Sequence, residues 1–224
     1  MEVKVQREQR ALRGCLGFHA ERNGHGHGQV VMFVVQIELV AEITSLATLT
    51  NDHDAGVIGT VAMMKAVLPF MRERRRGHIL NITSMGGHIT MPGITYYCGS
   101  KFALEGISEA LGKEVKPLGI AVTAVAPGSF RTDWAGRSMT RTPRSIVDYD
   151  HIFNPIRKTR EEKSGKQLGY PQKAACAMLA AIAADRPPTH LLLGSDALGL
   201  VRDKLSAFEN EIRDWEAVTV STDG

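Results

Sequence analysis

Apolar residues recur along this chain in two alternating rhythms. Val30 to Val35 is an unbroken apolar run and predicts a strand buried on both faces. Val57, Val61, Met64, Leu68 and Met71 then recur at helical spacing, predicting a helix from about Asp54 to Arg75. Gly77 to Ser84 reads as a strand that ends in small polar residues. Leu104, Ile107, Leu111 and Val115 mark an amphipathic helix, stopped near Pro117 and Gly119. Ile120 to Ala126 is another apolar strand, and it runs directly into Pro127-Gly128. Ala174 to Ala184 predicts a helix and His190 to Leu193 a short strand. Leu198, Val201, Leu205, Phe208, Ile212 and Trp215 then repeat every three or four residues in a final helix. Strands alternating with helices predict βαβ units, hence an α/β fold around a parallel sheet.

Two stretches break the rhythm. Residues 1–28 are polar, basic and poorly patterned, and they close on Asn23-Gly24-His25-Gly26-His27-Gly28, which reads as a loop. His25 and His27 alternate with glycine and lack the rigid support a metal site needs. Residues 129–170 are charged and poorly periodic, with prolines at 143 and 155, and read as a lid-like insertion over a substrate pocket. Trp134 and Phe153 are candidate apolar walls for that pocket. The organisation expected is thus an N-terminal segment, 1–28, followed by one domain, 29–224.

Composition changes this picture little. The 224 residues suit one domain with a sizeable core, and 43% hydrophobic with 23% charged is an ordinary balance. The net charge of +3 is modest. Arg72 and the run Arg74-Arg75-Arg76 follow an apolar helical pattern, so they read as a solvated helix end where cations suit the dipole, not as a nucleic-acid patch. No run reaches transmembrane length: Val30 to Val40 is broken by Gln36 and Glu38. No signal peptide is visible. Cys15, Cys98 and Cys176 are widely spaced, which is neither a disulfide framework nor a zinc pattern and suggests a reducing compartment. A cytoplasmic protein is the expectation, with no membrane and no nucleic-acid partner.

The chemistry is concentrated at Tyr97-Cys98-Gly99-Ser100-Lys101. Tyr97 and Lys101 are about one helical turn apart and share a face. Ser84 lies 13 residues upstream of Tyr97, at a strand end. Ligands of parallel α/β sheets sit outside the carboxyl ends of the strands. Ser84 and Pro127-Gly128 are both at such ends, and Tyr97 opens the helix between those strands. A phenol, an ammonium and a hydroxyl so placed can deliver a proton to a carbonyl oxygen and take it back. A hydrolase with Ser84 as nucleophile is disfavoured, because no G-x-S-x-G elbow is present.

These residues resemble the short-chain dehydrogenase/reductase family. The matching text is Ala66 to Met71, Gly77 to Ser84, Tyr97 to Lys101, and Pro127-Gly128-Ser129-Phe130-Arg131-Thr132, in the family's order and spacing. A lone YxxxK is weak, but YxxSK with that serine before it and PGxxxT after it is specific. The resemblance implies a Rossmann-like, doubly wound sheet and NAD(P)-dependent hydride transfer between a carbonyl and an alcohol. NAD or NADP is the implied cofactor, and a small carbonyl or alcohol compound the implied substrate. Tyr97 takes the role of proton donor or acceptor. A free phenol titrates near ~10, so Lys101 has to favour the phenolate, and it also holds the nicotinamide ribose. Ser84 positions the substrate oxygen. Pro127, Gly128 and Thr132 line the nicotinamide end. The family's long helices, here Asp54–Arg75 and Tyr97–Val115, commonly pack against a second subunit, so a homodimer or homotetramer is expected.

The match departs from the family in three places. No TGxxxGxG turn occurs, and only 83 residues precede Ser84, where the family has well over a hundred between that turn and the serine. Phe33-Val34-Val35-Gln36 occupies the place of the family's NNAG. Gly56 stands where the family has an asparagine in the helix before the serine strand. The expectation is therefore a fold that is N-terminally incomplete, without its first βαβ portion, as a truncated or frame-shifted coding sequence would produce. The alternative function is a catalytically impaired remnant acting as an oligomerisation partner.

Overall fold

Alternation along two central strands divides the molecule into layers. The computed structural model describes residues 31–34, 54–132 and 146–224. Within them, β1 (Val31–Val34), β2 (Gly77–Ile82), β3 (Ile120–Pro127) and β4 (His190–Leu193) form a parallel sheet in the order β1-β2-β3-β4. Helix α1 (Gly59–Arg74), entered through a π turn at Asp54–Ile58, leads into β2. Helix α2 (Thr95–Val115) connects β2 to β3. Helices α3 (Asp150–Lys163) and α4 (Pro171–Ala183) lie between β3 and β4, and α5 (Ser195–Val220) ends the chain.

Successive strand residues point to opposite faces. Ile79, Ile120 and Val122 pack with Met64 and Met71 of α1 and Val115 of α2. Leu80 and Val125 point the other way, to Leu193 and to Ala174, Ala177 and Met178 of α4. Both faces of the sheet are covered: the parallel sheet follows the predicted βαβ alternation, and the Rossmann-like layering is the one the family resemblance implies. The sheet also buries polar groups in matched pairs. His78 Nε2 lies 2.8 Å from Thr123 Oγ1, whose hydroxyl is donated to Pro188 O at 2.6 Å. That hydroxyl has one hydrogen, so His78 carries its proton on Nε2 and donates. Burial pushes the His78 imidazole below its ordinary range.

The basic run behaves as a solvated helix end. Arg72 and Arg74 to Arg76 are exposed, and Arg75 donates to Pro117 O at 3.2 Å. The stretch 129–170 contains helix α3, with Pro155 inside it. Proline at that position removes one backbone donor and the helix still forms, its charged residues facing water on every turn with none buried. Sparse apolar spacing hid it from a periodicity reading. Cys98 is a buried free thiol. Among the described residues no helix is long and apolar enough to cross a membrane. The segments 1–28 and 35–40, the glycine–histidine run and Trp134 lie outside the described residues.

The last helix outruns the sheet. At about 1.5 Å per residue it extends some ~39 Å. Ala197 and Val201 are buried, but Leu205, Phe208, Ile212 and Trp215 are exposed. The apolar stripe is present as the spacing predicts, and only its first turns meet the core.

Candidate active site

Register brings the site together. Ile82 pairs with Val125, and Thr83 N donates to Val125 O at 2.7 Å, continuing the ladder past the end of β2. Two residues beyond that pair, Ser84 is level with Pro127 at the carboxyl rim of the sheet. The chain turns there in a 3₁₀ element, Met85–Gly87, and Ser84 caps it by accepting from Gly86 N at 3.0 Å. That bond uses a lone pair on Oγ and leaves the hydroxyl hydrogen available.

Gly86 shows how close the catalytic candidates are. A Cβ built there would lie 3.1 Å from Tyr97 Cε1 and 3.4 Å from Ser84 Oγ. Serine and tyrosine therefore flank one point, although 13 residues separate them. Lys101 is 4% exposed, with Nζ 5.5 Å from the Tyr97 ring centroid and 3.4 Å from Ile82 O. Tyr97 itself is half-buried. The helix supplies the one-turn spacing, and a second glycine lets it approach. A Cβ on Gly87 would lie 2.8 Å from the Lys101 carbonyl oxygen, a backbone atom that cannot rotate away. Gly86→Ala is expected to push the Tyr97 ring by a few tenths of an ångström and to lower turnover, by less than the about 100-fold of a full 1 Å misplacement. An unchanged circular dichroism spectrum alongside that loss would separate misplacement from unfolding.

Pro127 and Gly128 form the adjacent lip. Gly128 N donates to Leu193 O at 2.8 Å, and Ser129 N donates to Asp196 Oδ2 at 2.7 Å. Asp196 is in the first turn of α5, where a carboxylate suits the helix dipole, and its carboxylate occupies the space a Gly128 side chain would need. Thr132 follows, exposed at the edge of the described segment, its N–H donated to Phe130 O at 2.9 Å. Ser84, Tyr97 and Lys101 thus converge, with Pro127 and Gly128 at the same rim. Helix α3 leans on the loop between Ser84 and Tyr97: Phe153 faces Gly93, and Arg160 donates to Pro92 O at 3.3 Å. Gly56 lies in the π turn before α1, and its carbonyl accepts from Thr60 Oγ1 at 2.7 Å.

A second polar group lies behind the first. Glu105, one turn beyond Lys101, is 5% exposed. Its carboxylate meets the Thr83 hydroxyl, His190 Nδ1 at 2.7 Å and His88 Nε2 at 3.3 Å. The Thr83 hydroxyl also lies 2.9 Å from Val125 O and can donate to one of the two at a time. Burial alone would raise the Glu105 carboxyl. The facing groups of His88, Thr83 and His190 outweigh it and hold the carboxyl below its ordinary range. This cluster was missed because its members are scattered in sequence. One signal was available: Lys101, Glu105 and Ser108 are polar at helical spacing on the face that buries Leu104.

The sequence model described as short chain dehydrogenase matches residues 40–142. Oxidoreductase BOA17 of Botryotinia fuckeliana is 36% identical over 164 residues, covering 72% of this chain and 60% of that protein. Uncharacterized oxidoreductase C162.03 of Schizosaccharomyces pombe is 34% identical over 209 residues, covering 91% of this chain and 70% of that protein. A short-chain dehydrogenase structure from Streptomyces avermitilis superposes with TM-score 0.73 at 35% identity, covering 81% of this chain and 65% of that one. A Burkholderia cenocepacia short chain dehydrogenase in complex with NADP shares the fold, with TM-score 0.55 at 19% identity over 78% of this chain and 63% of that one. A Rossmann-like α/β domain is thus the class that the fold defines. The chain belongs to the short-chain dehydrogenase/reductase family. It spans 60% of the Botryotinia relative and 65% of the Streptomyces structure.

Proposed function

We propose that this chain is an NAD(P)-dependent oxidoreductase that interconverts a small carbonyl compound and its alcohol. The observation that carries the reading is the approach of Ser84 and Tyr97 to one point at the sheet rim, with buried Lys101 beneath the tyrosine ring. The residues present fit the nicotinamide end of such a cofactor: a buried ammonium next to a phenol and a hydroxyl, at the strand end where α/β folds bind ligands. Lys101, Pro127, Gly128 and Thr132 are the residues to hold it. Bound there, the cofactor supplies or receives the hydride.

The chain's own groups handle oxygen and proton. Ser84 donates its remaining hydrogen to the substrate oxygen and fixes it beside Tyr97. In reduction, the Tyr97 phenol donates its proton to that oxygen, and in oxidation the phenolate takes it back. The Lys101 ammonium lowers the cost of the phenolate by charge. Residues 129–170, through α3, are proposed to close over the substrate, with Phe153 as one wall.

A second reading rests on exposed apolar side chains. Met63 and Phe70 of α1, with Tyr96 and Phe102 of α2, face outward. They suit packing against another copy, so the chain could serve as an oligomerisation partner without turnover. No segment of the 224 residues matches TGxxxGxG, the turn that would bring backbone N–H groups to the pyrophosphate.

Titration with NADPH and NADH, followed by nicotinamide fluorescence, discriminates the two. Saturation below ~1 mM, within the usual range for enzymes, that is lost in Lys101→Ala is the expected result. No binding at that concentration would sink the enzyme reading and leave the oligomerisation partner.

A further inference from the structure

We propose that His88, Glu105 and His190 form a binding site for a divalent metal ion of the zinc class, on the α2 face of the sheet behind Ser84. It is a separate site from the one that would hold the nicotinamide, and it does not depend on that reading. One ligand atom from each of the three residues lies within 4.8 Å of the other two. Two contacts already join the trio: Glu105 Oε2 lies 2.7 Å from His190 Nδ1, a hydrogen bond that an ion would replace, and Glu105 Oε1 lies 3.3 Å from His88 Nε2. Zinc–ligand bonds of about 2.0–2.1 Å in a tetrahedron set ligand atoms about 3.3 Å apart. The trio therefore closes on an ion by small side-chain rotations. Two imidazoles and a carboxylate are a zinc-type donor set, with a fourth position left for water.

Three further observations point the same way. His88 Nε2 is buried and makes no hydrogen bond, although it faces the carboxylate. Its contact with Glu105 Oε1 is an ion-pair distance of 3.3 Å without hydrogen-bond geometry, and a cation between the two atoms would satisfy both. His190 turns its other nitrogen, Nε2, toward Glu109 Oε2 at 3.5 Å. A carboxylate behind a histidine is the arrangement that fixes the ring of a metal ligand. Thr83 contacts the Glu105 carboxylate and orients it in the same way. The site also has a route to water, since the His88 and His190 side chains are 22% and 35% exposed while Glu105 is 7% exposed.

The three ligands come from different parts of the fold. His88 follows the 3₁₀ turn after Ser84, Glu105 is on α2 and His190 opens β4. An ion here ties the serine-bearing loop to the helix that carries Tyr97 and Lys101. Its role is to hold those elements, and it does not touch the reacting atoms.

The test uses the whole chain. Loading with Zn(II), dialysis against metal-free buffer and metal counting should retain one ion per chain. Co(II) loaded the same way should give the visible spectrum of a low-coordinate nitrogen–oxygen site. The melting temperature should rise with the ion bound. Loss of an outer-shell partner alone costs about 10–100-fold in affinity, so His88→Gln and His190→Gln should each exceed that. If His190→Gln alters the circular dichroism spectrum, His88→Gln, on a part-exposed loop residue, carries the test. The double change His25→Gln with His27→Gln should leave retention intact. Absence of a retained ion overturns the proposal. So does retention unaffected by His88→Gln, or retention abolished by the His25/His27 change.

Discussion

Tyr97→Phe is expected to lower turnover by about 100- to 10,000-fold, the range that a positioned general acid or base contributes. Phenylalanine keeps the ring that packs beside Gly86 and removes only the hydroxyl. The fold, and binding of NADPH through Lys101, should therefore survive. Following nicotinamide absorbance across a panel of small ketones and aldehydes, with fluorescence titration beside it, reads both quantities. Turnover within a few-fold of the wild type would remove Tyr97 from proton transfer. A parallel loss of cofactor affinity would show that the phenol acts in binding. Tyr96, which is exposed and five residues from Lys101, is the matched control and should tolerate the same change.

Leu80→Ala should cost about 2–5 kcal/mol of stability, through lost transfer free energy and a cavity that the sheet cannot collapse to fill. Leu80 is 0% exposed and packs with Val125 and Leu193, beneath α4. Its strand, β2, is held in ladders on both sides, by β1 and β3, so backbone relaxation is limited. The urea midpoint should fall with little change in slope. A loss under about 1 kcal/mol would show that the α4 layer rearranges easily. Because Leu80 points away from the α2 face, the surviving folded fraction should keep its cofactor affinity. The two substitutions thus test different layers: one the rim chemistry, the other the sheet that presents it.

Much of the sheet was legible because its signals are local. Ile79 and Leu80, or Val122 and Val125, mark strands by apolar content alone, and Leu104, Ile107 and Leu111 mark α2 by spacing. Helix α3 was not legible, since a helix that buries no side chain has no apolar stripe to betray it, and Pro155 argued against it. The exposed stripe of α5 was legible as a pattern and misleading as to burial. Periodicity reports which residues share a face, not whether anything covers that face.

The rim site divides the same way. Tyr97 and Lys101 are four residues apart on one helix, so their pairing follows from helical geometry without any tertiary information. Ser84 could be placed only at a strand end. Its meeting with Tyr97 depends on the Met85–Gly87 turn and on Gly87 lying against the Lys101 backbone. Asp196, which holds the Pro127-Gly128 lip, is 67 residues from its partner Ser129. Glu105 and His190 are 85 residues apart, and only the packing of α2 over β3 and β4 brings them together.

By itself, then, the sequence determined the strands and most helices, the Tyr97–Lys101 pair and the family, because each is written in neighbouring residues or in fixed short spacings. The tertiary structure decided which distant polar groups meet: Ser84 with Tyr97, Asp196 with the glycine lip, and Glu105 with its two histidines. The reason is physical. Contacts across a sheet are set by strand register and by how closely backbones can approach at Gly86 and Gly87. Neither quantity has a local signature along the chain.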